Sequence, residues 1–164
     1  MKDLEGKVVL VTGGSTGIGA AAAVAFARQG ARTMVPFNAS KDAAVKVDAE
    51  ITAAGGEAQM VGGDVTDLAN VMRVVNEAAS RLGRIDILVN NVGSLVKRTL
   101  VRDYSIDLLD EVLAVNVRQL VWFVREASAV MRANGGGNII NTTSIAARNG
   151  GGPGSVLYAA SKGF

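Results

Sequence analysis

Tyr158 and Lys162 are the residues whose types and spacing point most directly to chemistry. Four positions apart on a helix, two side chains share one face. A free phenol has a pKa of about 10, too high for efficient proton exchange near neutrality, and a neighbouring ammonium favours the phenolate. Such a pair suits proton transfer to or from a carbonyl or alcohol oxygen. The composition narrows the acid/base chemistry to groups of this kind. The 164 residues include no Cys and no His, which excludes disulfides, thiolate zinc sites, cysteine nucleophiles, Ser-His-Asp triads and histidine metal ligands. No metal site is expected, and proton transfer falls to Tyr, Lys or carboxylates, aided by Ser or Asn. Taken singly, Tyr158 also reads as a half-buried amphipathic side chain and Lys162 as a solvated helix residue.

A second chemical feature lies near the N-terminus. The apolar run Val8-Val9-Leu10-Val11 leads into Thr12-Gly13-Gly14-Ser15-Thr16-Gly17-Ile18-Gly19 and then an alanine-rich stretch. Glycines at a strand-to-helix turn allow a tight bend and let backbone N–H groups approach a pyrophosphate at a helix N-terminus. The spacing differs from G-x-G-x-x-G, and no Gly-Lys-Ser/Thr follows to make a P-loop. Alone, the loop has a purely structural reading as well.

The elements that must position these residues alternate along the chain. Strands are expected at 8–11, 32–35, 58–61, 85–89 and 138–141. Helices are expected from the glycine loop to about 29, at 41–54, 67–82, about 106–131, and from about 155 onward. Strands alternating with helices imply right-handed crossovers and a parallel sheet covered on both faces. The fold class is therefore α/β, a doubly wound parallel sheet with strand order 3-2-1-4-5, and residues 1–164 read as a single dinucleotide-binding domain. In such sheets ligands lie beyond the carboxyl ends of the strands. Those ends carry the glycine loop, Gly63-Asp64-Val65, Asn90-Asn91-Val92-Gly93 and Thr142-Thr143-Ser144.

Charge adds little. Seventeen Lys and Arg against fifteen Asp and Glu give +2, and half of the residues (49%) are apolar. The basic residues are scattered, without aromatic interleaving, so no nucleic-acid partner is expected. The longest apolar stretch, Ile18 to Ala27, is far shorter than the ~20 residues of a membrane span. Met1-Lys2-Asp3-Leu4-Glu5 lacks the order of a signal peptide. A soluble cytoplasmic protein without membrane partners is expected.

Taken together, the Thr12–Gly19 loop, Asn90-Asn91-Val92-Gly93, Asn116 in a long helix, Ser144 after the fifth strand and Tyr158-Ala-Ala-Ser-Lys162 resemble the short-chain dehydrogenase/reductase family. The likeness is greatest to its 3-oxoacyl-carrier-protein-reductase-like members. It runs the length of the chain and implies a Rossmann-like fold and hydride exchange between a nicotinamide cofactor and a carbonyl or secondary alcohol, with a 3-oxoacyl thioester as the narrower candidate. It makes Tyr158 the acid/base, Ser144 the group polarising the substrate oxygen, Lys162 the holder of the nicotinamide ribose, and Asn116 part of a water-borne proton relay.

The resemblance implies cofactor contacts from Gly13, Ser15, Thr16, Gly17, Ile18 and Gly19. It adds Asp64 and Val65 at the adenine, Asn90 at the adenosine ribose, and Val92, Gly93, Tyr158 and Lys162 further along. A capping role is the alternative for Asp64, and Asn91 is expected to tie strands four and five together. The end of strand two, Pro36-Phe37-Asn38-Ala39-Ser40-Lys41, lacks the acid that NAD-preferring folds place there. Asn38, Ser40 and Lys41 are thus expected to accommodate a 2′-phosphate. NADP is favoured, although Thr16 stands where many NADP-using relatives carry Arg, and NAD is the alternative.

Lys97, Arg98 and Arg102 should border the substrate mouth, with solvated loop charge their simpler reading. The loop Arg148 to Gly154 makes the interval between Ser144 and Tyr158 one residue longer than the commonest family spacing. Relatives in the family assemble as tetramers or dimers, and Leu113, Leu120, Val121 and Phe123 are candidates for such a face, with burial in the core as the alternative. Family members continue well past the Tyr-Lys helix, whereas this chain stops at Phe164. The expectation is a C-terminally truncated member with weak or no turnover by itself; the alternative is a non-catalytic nucleotide-binding or interaction module.

Overall fold

A computed structural model describes residues 4–164. Its sheet is built by alternation. β1 (Val8–Val11) is buried throughout, with Val8 and Leu10 pointing to one face and Val9 and Val11 to the other. Each face holds its own core. Val8 and Leu10 pack with Met34, Leu88, Val71, Val75 and Phe123, while Val9 and Val11 pack with Val35, Val89, Ala23, Ala27 and Ile51. Near-continuous apolar strands are what a parallel sheet covered on both faces requires.

The remaining strands are β2 (Arg32–Phe37), β3 (Glu57–Gly62), β4 (Ile87–Asn90) and β5 (Asn138–Asn141), all parallel, in the order β3-β2-β1-β4-β5. The expected order and class are both observed. Helices α1 (Gly17–Arg28) and α2 (Lys41–Ala53) cover one face; α3 (Leu68–Leu82) and α5 (Gln119–Ala133) cover the other. β2 runs two residues longer than expected, through Pro36. The ring is tolerated because Pro36 lies past Met34, the last β2 residue registered on β1, so its missing N–H removes no ladder bond there. β5 is the edge strand, and all four of its residues are exposed.

The long helix expected over 106–131 is interrupted. α4 (Ile106–Leu113) gives way to a π turn at Ala114–Arg118 before α5 continues. The Gln119 N–H bonds the Ala114 carbonyl, five residues back, which widens the turn by one residue. Asn116 sits in that turn. Its Nδ2 donates to the Val112 and Ser94 carbonyls at 3.0 and 2.9 Å, and its Oδ1 accepts the Ser94 N–H at 2.9 Å. Phe123 is fully buried in the α3/α5 core, which removes it from the candidate oligomer face; Val121 is exposed, and Leu113 and Leu120 are half-buried. A short helix, α6 (Ala146–Asn149), precedes α7 (Val156–Gly163), and both pack together beyond β5.

Asp86, which precedes β4, ties the N-terminal ends of the sheet. Its carboxylate accepts the Val8 N–H at 2.9 Å, Lys7 at 3.3 Å, and Arg84 through two bonds at 2.8 and 2.7 Å. Burial pushes this carboxyl up, but the Val8 amide, Arg84 and Lys7 outweigh it and hold the group below the ordinary carboxylate range. A carboxyl depressed in the folded state contributes stability above its unfolded pKa of about 4, and that contribution is lost as pH falls through the folded value. Asp86→Asn should therefore cost about 1–3 kcal/mol at neutral pH. It should also flatten the fall in stability below about pH 4, measured by urea unfolding at stepped pH. Equal acid sensitivity in both proteins would refute this role.

Candidate active site

The glycine-rich loop is shaped by a buried threonine. The Thr12 N–H continues the β1–β4 pairing to the Val89 carbonyl at 2.9 Å, and Thr12 Oγ1 accepts the Asn91 N–H at 3.0 Å. The chain then turns into α1, whose N-cap Thr16 makes no side-chain bond to the helix. The first N–H groups of α1 are thereby left for an anion. A side chain at Gly19 would run into the Gly13 carbonyl. Gly17, by contrast, has φ +54° and nothing within 4 Å of where a Cβ would stand. One glycine permits the bend and the other keeps open space in front of it.

A cavity of about 680 Å³ lies beyond the carboxyl ends of the strands, a volume within the range of small-molecule and cofactor sites. Gly13, Ser15 and Thr16 line it from the loop, and Phe37, Asn38 and Ser40 from the end of β2. Asp64 and Val65 follow β3, and Val92 and Gly93 follow β4. Gly17, Ile18 and Gly19 frame the loop without lining the cavity; Ile18 is exposed at the start of α1. Ser15 and Ser40 share a hydroxyl–hydroxyl bond of 2.7 Å that joins the loop to the start of α2, and Ser40 makes no capping bond to that helix. Asp64 is not the cap of α3, which is Asp67; its Oδ1 accepts the Thr66 N–H and hydroxyl at 2.9 and 2.8 Å.

The two asparagines at the end of β4 exchange their expected parts. Asn90 is buried, shares the inward face with Leu88, and donates from Nδ2 to Asn141 Oδ1 at 2.9 Å, so its side chain ties β4 to β5 and does not reach the cavity. Asn91 lines the cavity and donates to the Gly13 carbonyl at 3.3 Å.

On the other side of the sheet end, α7 presents Tyr158 and Lys162. Lys162 Nζ donates to the carbonyls of Val92 at 3.3 Å and Thr142 at 3.2 Å, which links α7 to the ends of β4 and β5. Burial pushes its ammonium below the ordinary lysine pKa. Asn116, Thr142, Thr143 and Lys162 border a second cavity of about 290 Å³. Ser144 and Tyr158 are half-buried and line neither cavity. Among the described residues, Ser144 Oγ accepts the Ala146 N–H at 3.2 Å, and no bond joins the Ser144, Tyr158 and Lys162 side chains to one another. The expected Tyr–Lys proximity is thus one of shared helix face, because the ammonium is drawn to the strand-end carbonyls.

The loop after Gly93 is stitched to the start of α7. The Thr99 N–H donates to the Gly154 carbonyl at 3.1 Å, and Arg98 donates to the Pro153 carbonyl at 2.9 Å. Arg98 is accordingly a structural tie, whereas Arg102 is exposed and, among the described residues, forms an ion pair with its neighbour Asp103 at 3.8 Å. Thr12, Thr142 and Thr143, which organise the site, carry no signal in the sequence beyond their place in the motifs.

Residues 7–164 match the family described as short chain dehydrogenase. The chain is similar to versicolorin reductase stcU of Emericella nidulans, 40% identical over 160 residues, 98% of this chain and 60% of that protein. It is also similar to a 3-oxoacyl-[acyl-carrier-protein] reductase of Synechocystis, 36% identical over 99% of this chain and 65% of that one. Among solved structures, the NADH-dependent reductase A1-R′ complexed with NAD superposes with a TM-score of 0.94 at 34% identity, covering 99% of this chain and 69% of its own. This chain therefore spans about 60% of the length of the first of these relatives. With the family model matched over residues 7–164 and a 40% identical relative aligned over 98% of the chain, the chain belongs to the short-chain dehydrogenase/reductase family.

Proposed function

We propose that this protein transfers a hydride between NADP and the carbonyl or secondary alcohol of a small molecule, with Tyr158 as the acid/base. The observation that carries the reading is the reach of Lys162 to the Val92 and Thr142 carbonyls, which puts the Tyr158 helix at the same sheet edge as the glycine-loop cavity. A nicotinamide coenzyme fits the residues present. The open space before Gly17 and the uncapped start of α1 suit a pyrophosphate, and the half of the cavity bordered by Asp64 and Val65 suits an adenine ring. When bound, the coenzyme supplies or accepts the hydride.

The chain's own residues do the rest. Lys162 holds the nicotinamide ribose, Tyr158 Oη gives a proton to the substrate oxygen in reduction or takes it in oxidation, and Ser144 Oγ donates to that oxygen. Asn116, fixed by Ser94 and Val112, keeps the π turn open for a relay of protons from solvent. The narrower substrate candidate is a 3-oxoacyl thioester, in keeping with the name of the Synechocystis relative. Exposed Val121 with half-buried Leu113 and Leu120 supports assembly into a dimer or tetramer, which light scattering tests. A cytoplasmic location and the absence of a nucleic-acid partner belong to the same reading.

The preference for NADP rests on the end of β2. Asn38 and Ser40 line the cavity there, no acid stands among 36–41, and Ser40 leaves the first turn of α2 uncapped. A 2′-phosphate meets N–H groups and hydroxyls there, with no carboxylate lining the cavity at the end of β2 and Asp42 the acid in the first turn of α2. Fluorescence titration should show NADPH binding about tenfold or more tighter than NADH, the equivalent of about 1.4 kcal/mol. Tighter NADH would reverse the preference, and turnover of a panel of ketones and 3-oxoacyl thioesters tests the reaction itself.

A further inference from the structure

Lys162 is gripped at both ends by consecutive residues of the segment that presents Ser144. At one end, Nζ donates to the Thr142 carbonyl at 3.2 Å. At the other, the Thr143 hydroxyl donates to the Lys162 carbonyl at 2.6 Å. That carbonyl belongs to α7, so the bond ties the segment after β5 directly to the backbone of the helix. Without the Thr143 hydroxyl, that tie between α7 and the segment after β5 is lost. Because Ser144 is the next residue, the same bond sets the spacing between the two sides of the site. We propose that Thr143 is a positioning residue: its hydroxyl holds the backbone of Lys162 so that the ammonium stays on the Val92 and Thr142 carbonyls. Its consequence for coenzyme binding rests on the function proposed above, whereas the clamp itself is a property of the described chain.

The bond lies at an exposed position, so its loss leaves the core intact, and Thr143→Val should fold like the parent. The direct test is competition labelling of lysines with an amine-reactive acylating reagent, read peptide by peptide. Lys41, Lys46 and Lys97 serve as internal standards. Freed from its clamp, Lys162 should label about threefold or more faster in Thr143→Val, with the standards unchanged, and Thr143→Ser should restore the parent rate, a difference in keeping with one net hydrogen bond. In protein that turns over, Thr143→Val should raise the coenzyme KM about fivefold while kcat falls by no more than about half that factor. Unchanged labelling of Lys162, or an equal rise in Thr143→Ser, overturns the proposal. If labelling behaves as expected but Tyr158→Phe keeps full turnover, the clamp stands and the acid/base reading falls.

Discussion

Tyr158→Phe should lower kcat by about 10²–10⁴-fold, the usual contribution of a positioned acid/base, while leaving the protein as stable as the parent. The two halves of this expectation come from different observations. The phenol hydroxyl has no hydrogen-bond partner among the described residues, and Tyr158 is half-buried, so removing the oxygen strands no buried donor or acceptor. Ser161 Oγ bonds the backbone carbonyl of Tyr158 at 2.8 Å, and that bond does not depend on the side chain. The ring of Phe fills the same place on α7. Melting should therefore stay within about 0.5 kcal/mol of the parent, and coenzyme binding should be essentially retained. A kinetic defect without a folding defect separates a chemical role from a packing role. Turnover within about tenfold of the parent would remove Tyr158 from the chemistry.

Gly19→Ala carries the largest expected cost in stability, about 3 kcal/mol, toward the upper end for overpacking a close-packed site. The added carbon would collide with the Gly13 carbonyl and approach Asn91 Nδ2 at 2.5 Å, and the obstructing carbonyl is backbone that cannot rotate away. Relief requires moving α1 off the sheet, which would also disturb Ala23 and Ala27 in the core beneath. Gly17→Ala is the informative partner. Its Cβ meets nothing within 4 Å, so the cost is confined to a left-handed backbone at φ +54°, about 1 kcal/mol, yet the methyl stands where a pyrophosphate would approach. Gly17→Ala should thus weaken NADPH binding far more than it lowers the melting temperature. Equal stability losses in the two variants would contradict this division of labour.

The sheet was legible because alternation and burial agree: four apolar residues in β1 supply two faces, and the glycine-stopped helices between strands leave a doubly wound order as the natural closure. The site was legible as a set of motifs, less so in its atoms. Counting alternation forward from Leu88 puts Asn90 on the same face, where β5 accepts its Nδ2 while its Oδ1 finds no partner among the described residues, and leaves Asn91 to turn toward the cavity. That count needs the strand's end at Asn90, which the sequence does not mark. Asp86 was absorbed into an apolar run, although a lone acid between isoleucines demands partners, here Arg84, Lys7 and the Val8 amide. Lys162 reads as a partner for Tyr158 from spacing alone, but two strand-end carbonyls compete for its ammonium, and those arrive from residues 70 and 20 positions away.

The π turn at Ala114–Arg118 has a consequence for the whole α4–α5 rod, reaching past Asn116. In a regular α-helix one more residue rotates everything after it by about 100° around the axis, and a π turn takes up that residue without the rotation. Phe123, Ala127 and Met131 face the sheet only in the register that follows this turn. Straightening 114–118 into regular α-helix with all five residues kept would give a better helix locally, yet it would turn those three side chains about 100° out of the core and carry Trp122 and Arg125 round with them, whereas deleting one of the five would leave them in phase. The widened turn that Asn116 occupies is therefore also the phase adjuster between two lengths of helix, so a change that straightens the rod at its full length would empty the core and dismantle the Ser94 contact together.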